Sequence, residues 1–84
     1  MKTQPTEKAL AVLDFITQYY LDNYKAPSSR EIAEAFDTST SMVNYYTNQL
    51  VICGLVKKTP GISRGAVPVY IIEIFEKEKE SING

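Results

Sequence analysis

The sequence predicts an α+β fold of three helices followed by a two-stranded β-hairpin. Two observations carry this. Up to about Cys53, apolar residues recur at three- and four-residue spacing between helix-capping signals. Beyond Gly54 the pattern changes to two short β-branched stretches separated by Pro60-Gly61 and Gly65. A third observation concerns charge. From Thr38 to Ile72 there is no Asp or Glu, yet Lys57, Lys58 and Arg64 lie inside that stretch. The rest of the chain holds all ten acids against six bases, so a net charge of −1 conceals parts of about −4 and +3. A polyanion meets the local surface, not the average.

The first helix is expected from about Thr6 to Asn23, with Thr6 as N-cap and Pro5 discouraging an earlier start. Ala9, Leu10, Leu13, Ile16, Tyr20 and Tyr24 follow the spacing of one helical face, and Val12, Phe15 and Tyr19 widen it. Asn23 to Pro27 is the break. Ser28-Ser29-Arg30-Glu31 then reads as a capping box opening a short second helix. Its inward residues are Ile32, Ala33 and Phe36, and it stops near Asp37. Thr38 to Ser41 forms a turn ending in another N-cap. The third helix runs to about Cys53 and stops at Gly54, with Val43, Leu50 and either Thr47 or Tyr46 inward. Thr40, Ser41, Asn44, Tyr45 and Asn48 gather on its other side. Leu55 to Lys58 reads as a strand, and Val67 to Phe75 as the returning strand, with Pro68 at an edge or bulge. Residues 1–75 form one domain and residues 76–84 a charged, solvated tail.

Composition narrows the function. With 44% apolar and 11% aromatic residues, the chain can build a core. No segment approaches the roughly 20 apolar residues of a membrane span, and no signal-peptide core follows Met1, so a cytoplasmic protein is expected. There is no histidine and a single cysteine, Cys53. That removes histidine-based catalysis, an internal disulfide and most zinc sites. No cofactor, metal or enzymatic activity is expected. Cys53 reads as a small buried apolar residue, and the Phe15, Tyr19, Tyr20 and Tyr24 set as core packing.

Two helices joined by a tight turn, the second opening on small hydroxyl residues, form a helix-turn-helix; the hairpin makes it winged. This chemistry suits double-stranded DNA. The amides opening the third helix favour phosphate. Thr40 and Ser41 let the backbone approach closely. Asn44 and Asn48 each offer one donor and one acceptor to an adenine edge, while Tyr45 suits a phosphate or a thymine methyl. Lys57, Lys58 and Arg64 suit the sugar-phosphate backbone, with Arg64 placed to enter a narrow minor groove.

At these residues the chain resembles the N-terminal DNA-binding domain of the LexA repressors. Pro27-Ser28-Ser29-Arg30-Glu31-Ile32-Ala33 matches that family's Pro-Thr/Ser-x-x-Glu-Ile-Ala opening of the second helix. Leu50, Gly54, Leu55 and Val56 match the end of its third helix, and Gly61-Ile62-Ser63-Arg64-Gly65 its wing motif. The resemblance spans about residues 6 to 70. It implies operator-base contacts at Ser39, Ser41, Asn44 and Tyr45, and wing contacts at Ser63 and Arg64. The turn before the third helix is one residue longer than in the family. Thr40 to Tyr45 replaces the family's Pro-Asn-Ala-Ala-Glu-Glu, which changes the operator read, and Ala66-Val67-Pro68 stands where Ile-Arg-Leu is usual. The family's second domain, with its Ser-Lys self-cleavage machinery and main dimer interface, has no counterpart in these residues.

The expected function is therefore a sequence-specific DNA-binding regulator, a repressor acting by operator occupancy without self-cleavage, of bacterial or phage type. Its partners would be duplex DNA and a second copy or partner protein, with no membrane. The alternatives are a winged-helix protein-interaction module and a DNA-binding replication or partition control factor.

Overall fold

In the computed structural model, which describes residues 5–58 and 65–74, three helices precede a two-stranded antiparallel hairpin. Helix α1 spans Glu7–Asn23. Its N-cap is Thr6, whose hydroxyl accepts from the Ala9 amide at 3.2 Å. Ala9, Val12 and Ile16 are buried, with Leu13 and Phe15 packed beside them, so the inward stripe is centred on Val12. Two residues assigned to that stripe by spacing lie outside it: Leu10 is 42% exposed and Tyr24 80%. Tyr24 is the helix's C-cap, with left-handed φ of 58°. There the chain has left the helical path, so three- and four-residue spacing no longer predicts where the side chain goes. Phe15 meets Phe36 edge-on at 5.8 Å, which joins α1 to the end of α2.

Helix α2 spans Ser29–Ala35 and opens with the expected capping box. The Ser28 hydroxyl accepts from the Glu31 amide at 3.1 Å, and Glu31 Oε1 accepts from the Ser28 amide at 2.9 Å. The second carboxylate oxygen accepts from the Tyr19 hydroxyl at 2.7 Å, so one side chain both caps α2 and ties it to α1. Ser28→Ala is expected to lower stability by about 1 kcal/mol, read as a shifted urea midpoint at constant slope. After α2, Asp37 takes φ of 51°. The Thr38 amide donates to the Ala33 carbonyl at 2.9 Å and the Asp37 amide to that of Glu34 at 3.3 Å. This is the paired closure of a Schellman motif, at a left-handed position that Asp tolerates better than most residues.

Helix α3 spans Thr40–Ile52, with Ser39 as N-cap. Val43, Thr47 and Leu50 are buried and Tyr46 packs beside them. The Thr47 hydroxyl donates to the Asn44 carbonyl at 3.1 Å, so this buried polar residue is satisfied. The helix closes on Gly54 at φ of 77°. The Leu55 amide reaches the Leu50 carbonyl at 2.9 Å and the Gly54 amide that of Val51 at 3.0 Å, a second Schellman motif. A Cβ on Gly54 would meet nothing within 4 Å, so the backbone conformation alone calls for glycine here. Cys53, expected to be buried, is the half-buried C-cap.

Strands β1 (Val56–Lys58) and β2 (Ala66–Pro68) pair antiparallel, with Val56 opposite Pro68 and Lys58 opposite Ala66. The expected returning strand from Val67 to Phe75 is corrected: β2 ends at Pro68, and residues 69–74 are helical. A short apolar run fits either period. Proline's ring-fixed φ suits the approach to a helix, and just past the last paired residues the Val69 amide donates to the Leu55 carbonyl at 3.0 Å. Helical winding buries Ile71 while Tyr70 and Glu73, three apart, stay exposed. One cluster, including Val12, Ile16, Ile32, Val43, Leu50, Val56 and Ala66, joins all three helices to the hairpin. Pro60, Gly61, Phe75 and the tail of residues 76–84 lie outside the described residues.

Candidate nucleic-acid interface

The buried side of α3 settles which residues its opposite side presents. With Val43, Thr47 and Leu50 inward, Ser41, Tyr45 and Asn48 point away from the core, Asn44 flanks them toward the hairpin, and Thr40 lies beside the start of α2. Thr40, Ser41, Asn44, Tyr45 and Asn48 are all exposed, Tyr45 by 54%. Ser39 is exposed too, but its hydroxyl is engaged as N-cap by the Met42 amide at 3.2 Å. Tyr45 stands edge-on to Tyr46 at 5.6 Å, which steadies its ring.

The hairpin brings cations to one flank of this face. Lys57 and Lys58 are exposed on β1. Lys58 Nζ lies 3.5 Å from Asn44 Oδ1, linking strand and helix directly. On the opposite flank, Gln49 Oε1 accepts from the Thr6 amide and hydroxyl, both at 3.3 Å, which anchors the start of α1 against α3. No acid lies on α3, β1 or β2. Ser63 and Arg64, the sequence-assigned residues of the hairpin tip, fall outside the described residues.

Two neighbours were missed by sequence reasoning. Arg30, with Ser28, Ser29 and Thr40, lines a shallow cleft of about 400 Å³ where α2 and α3 begin. The tight turn itself is the sequence signal, since it places one helix start beside the other, although Arg30 lies outside the acid-free stretch. Ile52, 74% exposed, continues the line of Ser41, Tyr45 and Asn48 at the next helical step. An isoleucine that exposed suits an apolar contact such as a thymine methyl.

Among the described residues, no three His, Cys, Asp or Glu side chains gather closely enough to hold a metal ion. No helix among them is long and apolar enough to cross a membrane. Compared with known families, the chain matches the sequence model of the LexA DNA binding domain over residues 2–65. That span takes in all three helices, β1 and the Gly61 to Gly65 motif. No curated protein matches the chain.

Proposed function

Because this chain belongs to the LexA DNA-binding domain family, a family of sequence-specific DNA binders, we propose that it is a transcriptional repressor acting by operator occupancy. In this proposal residues 1–75 are the DNA-binding unit. Helix α3 enters the major groove, with Ser41, Asn44, Tyr45 and Asn48 toward base edges and Ser39 and Thr40 toward the backbone. Lys57 and Lys58, together with Ser63 and Arg64 of the hairpin tip, hold the flanking sugar-phosphate chain. The observation that carries this reading is the uncharged hydroxyl-and-amide face of α3 with lysines along its hairpin flank. Neutral donors and acceptors suit base edges, while lysine ammonium groups suit phosphates.

Magnitudes shape the mechanism. Three phosphate-binding cations give a log-log salt slope of about −2.7, so affinity should fall about 40-fold between 50 and 200 mM salt. A single copy then binds in the micromolar range or more weakly, and useful occupancy needs a second half-site filled by another copy or a partner protein. A mobility-shift titration of a randomised duplex library at those two salt concentrations tests the reading. Selection of one motif with that slope supports it. No duplex binding at low salt, with α3 instead engaged by a protein partner, would favour an interaction module.

A further inference from the structure

An open cavity of about 530 Å³ lies among residues that the DNA-binding proposal does not use. Its walls come from α1, from the turn at Gly54 and from the helical segment that follows β2. Leu13, Leu55, Pro68 and Val69 give it an apolar lining, and the Val69 amide bond to the Leu55 carbonyl joins two of them at 3.0 Å. A Cβ on Gly54 would meet nothing within 4 Å, so nothing crowds the cavity at the turn. The volume falls within the roughly 300–1,000 Å³ of small-molecule sites.

The charged groups around this cavity share one sign. Asp14 and Glu73 line it as exposed carboxylates, and no Lys or Arg is among its described lining residues. Among the described residues neither carboxylate has a hydrogen-bond or ion-pair partner. The Thr17 hydroxyl donates its proton to the Leu13 carbonyl at 2.8 Å, so it offers the cavity only lone pairs. Tyr70, 62% exposed, adds a ring whose face attracts cations. A compact, strongly hydrated cation would gain little from two exposed acids. A cation that also buries apolar surface gains from the lining as well. We propose that this cavity binds an organic cation with an apolar body, such as a quaternary ammonium or phosphonium carrying aromatic groups. The body fills the space against Leu13, Leu55 and Val69, and the charge lies toward Asp14, Glu73 and the Tyr70 ring. The site shares no residue with the DNA-facing set, so it stands or falls independently of that reading.

The test uses the full 84-residue chain, isotope-labelled for NMR. Tetraphenylphosphonium and tetraphenylborate have the same shape and opposite charge, and each is titrated into the protein. The amide resonances of Gly54, Leu55, Val69 and Tyr70 should shift saturably with the cation and not with the anion. Asp14→Asn combined with Glu73→Gln should weaken the cation by about tenfold, the combined effect of two exposed ion pairs. Glu34→Gln, an exposed acid of α2 outside the cavity, should leave its affinity unchanged. All three acids are exposed, and an unchanged amide spectrum away from the cavity verifies that each variant is folded. Equal shifts from both ions would overturn the charge selection, and so would unchanged affinity in the double variant. No saturable shift from the cation, or shifts confined to other residues, would overturn the site while DNA binding stands. A dimeric mass by light scattering, with neither ion bound, would assign the groove to a second copy and overturn the ligand.

Discussion

Leu50→Ala is expected to destabilise the protein by about 2–5 kcal/mol, the largest effect of any single truncation considered. A domain of this length has roughly 4–13 kcal/mol in total, so the change removes a large share. Leu50 is wholly buried and belongs to the cluster that joins α1, α2 and α3 to the hairpin base. Truncation leaves a cavity bounded by several elements at once, and none can close it without leaving the others. The substitution keeps the backbone carbonyl that accepts from the Leu55 amide, so the helix-closing turn survives and the loss reports on packing. Urea denaturation followed by circular dichroism measures it. Ile52→Ala, at a position 74% exposed two residues along the same helix, should change stability by less than about 0.5 kcal/mol. Equal effects at the two positions would refute the orientation of α3.

Asn44→Ala should leave folding intact and reduce discrimination at one base pair by about 1–3 kcal/mol. The side chain is exposed, and the carbonyl that accepts from the Thr47 hydroxyl belongs to the backbone and remains. Loss of affinity should concentrate in the preferred sequence, bringing it toward the level of unrelated duplexes, with the salt slope unchanged because no phosphate contact is removed. Titration of the preferred duplex and a scrambled one, at fixed salt, checks this. If both affinity and preference are untouched, the face assigned to base reading is misplaced.

Much of this fold was legible because its signals are local. Ser28 and Glu31 cap one helix through contacts three residues apart, and Gly54 closes another through its own backbone. Such devices are written in neighbouring residues. The face of α3 followed from periodicity, since Val43, Thr47 and Leu50 fix its opposite side. What escaped depends on tertiary context. The run from Tyr70 to Ile74 is β-prone by composition, yet it winds as a helix and buries Ile71. Tyr24 kept the helical spacing but sits where the chain leaves α1. Another partner of Glu31, Tyr19, is twelve residues away and carries no sequence signal. The Asn44–Lys58 contact spans fourteen residues and depends on how the hairpin leaves α3.

That departure is governed by Gly54, held left-handed at φ of 77° with open space where a Cβ would stand. The wedge between helix and hairpin is consequently set by this backbone turn together with the packing of Val56 and Ala66 against the helices. If α3 reads bases as proposed, exchanging residues along it would change the letters recognised while the stride to the backbone held by the hairpin stays constant. Relatives that keep a glycine here should share one footprint length, however far their preferred words diverge.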